Sequence, residues 1–192
     1  MIGGDWTKVE PMGNGGGKLP AGGYVIRITK AEDVPGKEYL LVEYDIAEGE
    51  HAGHYKDLED RFGFWGGSFV RSYKPKARGF FKAFLDVLEA SNNITLATPD
   101  GVDERKLVGL LCGVVLGEEE YIGNDGTLKT RLKVVTELPV DRIRAGEFVV
   151  PEKKKLDPSK IPGGQGQTGT VRDTTAASVV DDFEQINVDL PF

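Results

Sequence analysis

The sequence has a single cysteine, two histidines and no long apolar segment, and each of these shortages excludes a class of protein. Cys112 has no second thiol with which to form an internal disulfide or a multi-cysteine zinc site. No stretch approaches the roughly 18 apolar residues that a membrane-spanning helix needs. The first residues, Met1 to Asp5, lack the basic and apolar regions of a signal peptide. We therefore expect a cytoplasmic protein with no membrane association, no cofactor and no metal.

Motifs that indicate catalysis are also missing. The glycine-rich stretch at residues 13–18 resembles a phosphate-binding loop, but Met12 and Leu19 stand where that motif needs Gly and Ser or Thr. His51 and His54 fall in a hydrophilic loop that predicts no helix to align them as metal ligands. No nucleophile elbow and no zinc-protease motif occurs. We predict that the chain is not an enzyme.

Charge is present in quantity but is sorted by sign along the chain. The net charge of −7 argues against nucleic acid, because proteins that bind polyanions usually carry a basic footprint. Six basic residues and no acidic one lie between Arg61 and Lys82, whereas residues 173–192 hold five acids and no base. This sorting predicts a cationic surface on one part of the protein and an anionic segment on another.

Hydrophobic residues alternate with a period of two in several stretches, which predicts strands. Glycine and proline turns separate them, and Asn124-Asp125-Gly126 is a typical hairpin turn. Residues 61–65 are also predicted to form a strand, because the aromatic residues Phe62, Phe64 and Trp65 favour strands. The five predicted strands are residues 24–29, 39–46, 61–65, 106–121 and 127–138.

One stretch has helical periodicity, at residues 76–91, where Phe80, Phe84 and Leu88 recur at intervals of four. The predicted order is therefore three strands, a helix and two strands. That order is typical of the five-stranded oligonucleotide-binding (OB) barrel, a mainly β fold with one helix between strands three and four. Gly109, Gly113 and Gly117 on one face of the fourth strand predict strong bending or close approach by another chain, both of which are expected in a small barrel.

Composition changes at both ends of the predicted barrel. Residues 1–21 are glycine-rich and predict a flexible segment, and the barrel follows at residues 22–148. Residues 149–180 are rich in proline and glycine and have too little apolar surface to fold, which predicts a disordered linker. Residues 181–192 place carboxylates among isolated hydrophobic residues, which is typical of a peptide that binds a partner.

Cations and aromatic rings interleave between residues 61 and 78, and cations recur on one face of the fifth strand. Cations hold phosphates and exposed rings stack on bases, so this pattern indicates binding of single strands without strong sequence preference. The alternative, that the rings belong to the core and the cations to a solvated face, is open for each aromatic, Phe69 included. The predicted contacts, in two tracks along one groove, are Arg61, Phe62, Phe64, Trp65, Arg71, Tyr73, Lys74, Lys76, Arg78, Lys129, Arg131 and Lys133.

The C-terminus is the second candidate binding element. Phe192, its own carboxylate and nearby acids suit a pocket with an apolar floor and a basic rim, and Pro191 limits the entropy lost on docking. The alternative is a solubilising tail that packs on the barrel or frays. The predicted partner-binding residues are Asp181, Asp182, Asp189, Leu190, Pro191 and Phe192.

The ending Asp189-Leu190-Pro191-Phe192, with Asp181-Asp182 before it, resembles the acidic tip of bacterial and phage single-stranded DNA-binding proteins. Leu190 replaces the usual isoleucine, and the acidic run is diluted. In that family the tip docks onto replication, recombination and repair proteins. Residues 38–49 and 80–85 are also similar to a phage family with a presumed single-strand-binding role, which implies the host cytoplasm as location.

These patterns together predict a protein that binds and protects single-stranded DNA during replication, recombination or repair and recruits partners through its C-terminal tip. Self-association is left open. The alternative function is that of an adaptor, a similar barrel that binds protein through its aromatic surface and does not bind nucleic acid.

Overall fold

The computed structural model of the chain describes residues 19–123 and 125–157. Residues 1–18 of the predicted N-terminal segment and residues 158–180 of the predicted linker lie outside this range. The whole predicted tip lies outside it as well, including Asp181, Asp182, Asp189, Leu190, Pro191 and Phe192.

The described part of the chain is built on a five-stranded antiparallel sheet in the order β3-β2-β1-β4-β5. The mainly β class is therefore confirmed. β1 lies at the centre and pairs with β2 through one half of its length and with β4 through the other. The strands are β1 (Gly22–Val34), β2 (Tyr39–Ile46), β3 (Ser68–Ser72), β4 (Leu111–Ile122) and β5 (Leu128–Leu138).

The sheet is open, so the prediction of an OB barrel, which is a closed or nearly closed sheet, is not confirmed. Among the described strands, β3 pairs with β2 alone and β5 pairs with β4 alone, which leaves each of them with a free edge. Every adjacent pair in the sheet is antiparallel, so strand direction alternates across it. β3 and β5, the first and the fifth strand in the order, therefore run in the same direction. Closure would need β3 and β5 to form a parallel ladder.

The main core lies on one face of the sheet, where alternate residues of all five strands are buried. Leu40, Val42, Tyr44 and Ile46, which alternate along β2, are all buried on this face. A smaller cluster packs on the opposite face, where Val25 and Val115 meet the short helix α3 (Val140–Arg144). The principal strand residues of the main core are Ile26, Ile28, Leu40, Val42, Tyr44, Ile46, Phe69, Cys112, Val114, Leu116 and Val134.

The predicted helix is confirmed with small shifts at its ends. A 3₁₀ turn at Pro75–Ala77 leads into α2 (Arg78–Asn92), which buries Phe84, Leu85 and Leu88 against the sheet. Asn93 ends it in a left-handed conformation, with φ of 51°. None of the helices in the described part of the chain combines the length and the apolar character needed to cross a bilayer.

The prediction of a third strand at residues 61–65 is wrong. A helix, α1 (His54–Phe62), occupies the preceding stretch, and Gly63 ends it with φ of 73°. The carboxylate of Asp45 accepts hydrogen bonds from the backbone N–H groups of Tyr55 and Lys56, at 2.8 and 3.3 Å, and so satisfies the first turn. β3 begins at Ser68, seven residues later than predicted, because aromatic composition does not distinguish a strand from the end of a helix.

The predicted fourth strand also begins too early. Residues Glu104–Leu107 form a 3₁₀ turn, and Gly109 follows with φ of 88°, a conformation that interrupts a strand. The side chain of Asn92 then fixes the start of β4 by accepting from the N–H of Leu111 and donating to its carbonyl oxygen, at 2.9 and 2.8 Å. At Gly113 the close neighbour is α3 of the same chain, since a Cβ there would collide with Ile143.

Ordered contacts continue past residue 148, where the linker was predicted to begin. The backbone of Lys154 forms hydrogen bonds with Glu118 and Glu120 of β4, at 2.8 and 2.9 Å. Leu156 donates from its N–H to the carboxylate of Glu120 at 3.2 Å. The segment from residue 151 to residue 156, which we call the docked segment, is therefore part of the folded unit.

Candidate nucleic-acid interface

Most of the predicted contact residues lie on either side of edge strand β3. Arg61 and the rings of Phe62, Phe64 and Trp65 precede the strand, at the end of α1 and in the loop that follows it. Tyr73 and the cations of residues 74–78 come directly after the strand. We call this the β3-edge surface, meaning residues 61–65 and 73–78.

Two phenylalanine rings are exposed on the β3-edge surface. Phe62 is 47% exposed and Phe64 is 43% exposed, although rings of this size are usually buried. Their centroids lie 6.3 Å apart, and the ring planes are tilted by 34°. The helix end at Gly63 turns the chain sharply between them, which places both rings on the outside. Exposed faces of this kind can stack on bases.

Trp65 is half-buried and has a structural role as well as an accessible face. Its indole Nε1 donates to the carbonyl oxygen of Gly67 at 3.0 Å, and its ring lies 6.4 Å from that of Tyr55. Gly67 has no room for a side chain, because a Cβ would overlap the carbonyl oxygen of Tyr44 and the ring of Tyr55. The tryptophan therefore packs over the point where α1 and β2 meet.

Tyr73 is held by a carboxylate and a neighbouring ring. Its hydroxyl donates to Asp33 at 2.7 Å, and this bond raises the pKa of Tyr73 to about 12. Its ring packs edge-on against Phe81 at 5.9 Å and lines a cleft of about 300 Å³. Asp33 and Glu104 also line that cleft, so its charge is unfavourable for phosphate. Phe69, by contrast, belongs to the core.

Four cations of the β3-edge surface are exposed: Arg61, Lys74, Lys76 and Arg78. None of the four forms an ion pair with another described residue, whereas Lys82, farther along α2, pairs with Asp86. A lysine or arginine that has no intramolecular partner can neutralise a phosphate without first breaking an ion pair. These four residues are therefore the strongest candidates for contacts with a polyanion.

Arg71 was predicted as a contact, but the structure places it in an ion pair that faces the interior. Its guanidinium binds the carboxylate of Glu137 on β5 and lies 4.6 Å above the ring of Phe69. Burial lowers the pKa of Arg71 to about 10, so the side chain remains protonated at neutral pH. We do not retain Arg71 as a direct contact, because binding a phosphate would require breaking this pair.

The prediction that Lys129, Arg131 and Lys133 share one face of β5 is confirmed. All three are exposed, and they alternate with Leu132 and Val134, which face the main core. Each of the three cations is paired with a carboxylate of the β4–β5 hairpin: Lys129 with Asp125 at 2.9 Å, and Arg131 and Lys133 with Glu119 at 3.0 and 3.8 Å.

The two predicted tracks lie at the two edges of the sheet, one on either side of β3 and one on β5. They are joined at the one described point where side chains of β3 and β5 form an ion pair, at Arg71 and Glu137. Sequence reasoning missed Glu119 and Glu137, which decide how much positive charge each edge presents. Their roles depend on strand register, which local patterns do not specify.

The histidines lie side by side, with the rings of His51 and His54 at 6.5 Å. Burial and the neighbouring His51 lower the pKa of His54. Within residues 19–123 and 125–157, no group of three or more His, Cys, Asp or Glu side chains is placed to hold a metal ion.

A search of protein-family models and a search of curated proteins found no match to this chain. The function proposed below is therefore based on the geometry and charge of the described residues.

Proposed function

We propose that the protein binds single-stranded DNA through the β3-edge surface, without strong sequence preference. One observation carries the proposal: two rings, Phe62 and Phe64, are exposed and lie 6.3 Å apart. Arg61, which precedes them in the chain, is exposed and has no ion-pair partner among the described residues. Lys74, Lys76 and Arg78 extend this positive charge past the end of β3. Exposed rings with unpaired cations form the combination that stacks bases and neutralises phosphates.

The same features favour a single strand over a duplex. Stacking on Phe62 and Phe64 requires a base face that is free, and bases in a duplex are already stacked on their neighbours. Every base has such a face, so the surface does not discriminate strongly between sequences. The overall charge of −7 limits non-specific attraction, which concentrates binding on the local cationic surface.

We further propose that the sheet is an open variant of the OB barrel. A helix between strands three and four, five strands and a gap between the two edge strands are features of that fold, which is often only partly closed. The ion pair of Arg71 and Glu137 at the gap supports this proposal. In OB barrels, loops at the mouth of the sheet contribute to nucleic-acid binding.

The proposed role of residues 181–192 is to recruit replication, recombination or repair proteins. Its support is the sequence alone, in the acids and apolar residues that end at Phe192. In the proposed arrangement the folded unit coats the strand while the tip engages a partner, both in the cytoplasm.

Fluorescence anisotropy with labelled oligo-dT, duplex DNA and RNA tests the proposal on the full-length chain. We expect tight binding of oligo-dT, weaker binding of the duplex, and an affinity that decreases as salt concentration rises. Little affinity for all three ligands would overturn the proposal and favour the alternative adaptor that binds protein through Phe62 and Phe64.

A further inference from the structure

The cleft beside Tyr73 adjoins the β3-edge surface, because Tyr73 belongs to both. Its volume is about 300 Å³. Buried Leu40 and Leu107 and half-buried Val102 give it apolar surface, and the rings of Tyr73 and Phe81 give it aromatic surface. This volume is at the small end of the range for ligand pockets, so the cleft suits a compact, planar, largely apolar group.

The aromatic side of the cleft is fixed by hydrogen bonds. The N–H of Tyr73 donates to the carbonyl oxygen of Glu38 at 3.0 Å, and its hydroxyl donates to Oδ1 of Asp33 at 2.7 Å. The ring planes of Tyr73 and Phe81 meet at 76°, so the two rings present their faces in different directions. Because these rings are already positioned, a ligand loses little free energy in ordering them.

The charge of the cleft restricts what can bind there. Asp33 and Glu104 line it, and no lysine or arginine of the described residues does. Asp33 already accepts from Tyr73, whereas the side chain of Glu104 forms no hydrogen bond or ion pair with another described residue. An ionised carboxylate only accepts hydrogen bonds, so the favoured ligand is a donor and is not itself an anion.

We propose that this cleft binds one base of the bound single strand and that Glu104 accepts a hydrogen bond from the exocyclic amino group of that base. The inference rests on the single-strand binding proposed above. Bases of a single strand can be turned out, packed against aromatic side chains and hydrogen-bonded on their edges. Cytosine, adenine and guanine carry an amino group, and cytosine N4 is a known donor to Asp and Glu. Uracil and thymine lack this group.

The residue that follows Tyr73 provides for the phosphate of such a nucleotide. Lys74 is exposed and has no ion-pair partner among the described residues, so it is a cation next to an acidic cleft. This arrangement matches a neutral base joined to an anionic backbone. A basic side chain of a partner protein would also suit the carboxylates, but Lys74 and Lys76 would repel it. Bases on Phe62 and Phe64 are not distinguished, so the overall sequence preference stays modest.

Fluorescence anisotropy with labelled oligo-dC and oligo-dU of equal length, at neutral pH and with the full-length chain, tests this inference. Both bases are pyrimidines without a methyl group, and cytosine has an amino group where uracil has a carbonyl. We expect oligo-dC to bind about 5-fold more tightly, the lower end for a specific base contact. In Glu104→Gln the ratio of the two affinities should fall toward one, since an amide can also donate to uracil.

Asp100→Asn is the matched control. Asp100 is an exposed carboxylate in the turn at residues 98–101, it does not line the cleft, and its replacement changes the net charge by the same amount. Its affinity ratio should equal that of the wild type, even if both affinities rise. Thermal unfolding monitored by circular dichroism checks that both variants are folded.

Equal affinity of the wild type for oligo-dC and oligo-dU would overturn this inference and leave the proposed function standing. An unchanged ratio in Glu104→Gln, or an equal fall in Asp100→Asn, would also overturn it. If the wild type binds neither strand, the proposed function itself fails.

Methyl resonances in nuclear magnetic resonance spectra locate the base directly. Those of Leu40, Val102 and Leu107 should shift when oligo-dC is added, because the ring current of a base in the cleft acts on them. If they shift with the peptide Lys-Leu-Lys and not with oligo-dC, the cleft is a protein-binding site and the inference is wrong.

Discussion

The guanidinium of Arg71 on β3 forms an ion pair with the carboxylate of Glu137 on β5, and this pair joins the two edge strands of the sheet. The two side chains are 21% and 14% exposed, so the pair is largely shielded from water. β3 and β5 are not paired by ladder hydrogen bonds. Among the described residues, this ion pair is the electrostatic contact that links them. The pair therefore brings side chains of the two edge strands of the open sheet into direct contact.

Removing one partner of this pair should destabilise the protein substantially. We expect Arg71→Met or Glu137→Leu to lower the free energy of unfolding by roughly 3 kcal/mol, because each leaves a charge shielded from water without its partner. Urea unfolding monitored by circular dichroism measures the loss. The double variant Arg71→Met/Glu137→Leu should recover much of it. Additive losses in the double variant would show that the two residues do not interact.

Truncating the exposed rings should weaken binding without affecting the fold. Phe62→Ser and Phe64→Ser should each cost about 1 to 3 kcal/mol in affinity for oligo-dT, which is roughly 5- to 150-fold. Their thermal midpoints should stay near that of the wild type, since both rings are nearly half exposed. Val108→Ser is a control at a similarly exposed apolar residue in a loop before β4. Unchanged affinity in both phenylalanine variants would exclude these rings as stacking residues.

Two glycine substitutions should change stability in opposite directions. Gly67→Ala places a Cβ against the carbonyl oxygen of Tyr44, and we expect it to destabilise the fold by about 1 to 3 kcal/mol. Gly79 lies near the start of α2. Apart from its chain neighbours and the nearby backbone of its own helix, no atom lies within 4 Å of its would-be Cβ, so Gly79→Ala should stabilise the fold by up to about 1 kcal/mol. Thermal unfolding of the two variants measures both effects. A neutral Gly67→Ala would contradict the close packing of α1 on β2.

Stability should decrease at alkaline pH because of Cys112. Burial raises the pKa of this thiol to about 12 from the ordinary value of 9.0. The folded state therefore favours the protonated thiol, and the resulting stability is complete below pH 9 and is lost as pH rises toward 12. We expect the free energy of unfolding to fall more steeply between pH 9 and pH 11 in the wild type than in Cys112→Val.

Urea unfolding at a series of pH values measures this difference. Burial also raises the pKa of Tyr44 and Tyr55, but both tyrosines are present in the two proteins, so the comparison isolates the thiol. Parallel pH profiles would show that Cys112 does not contribute.

The elements that the sequence predicted well are those with strong local periodicity. Alternation at residues 39–46 predicted β2, and the repeat of Phe80, Phe84 and Leu88 predicted α2. The stretch at residues 54–65 was misinterpreted because its helix is short and polar. Its start depends on Asp45, which lies nine residues earlier, at the end of a different element.

The sequence alone determined the mainly β class, the helix between strands three and four and the exposed row of cations on β5. Each of these follows from local periodicity, which decides which side chains share one face of a strand or helix. The tertiary structure decided which cations are available. Arg61, Lys74, Lys76 and Arg78 have no partner among the described residues, whereas Glu137 takes Arg71 and Glu119 gathers three cations from β5 and the docked segment. The physical reason is that ion pairs form between residues far apart in sequence, and strand register and packing alone bring them within 4 Å.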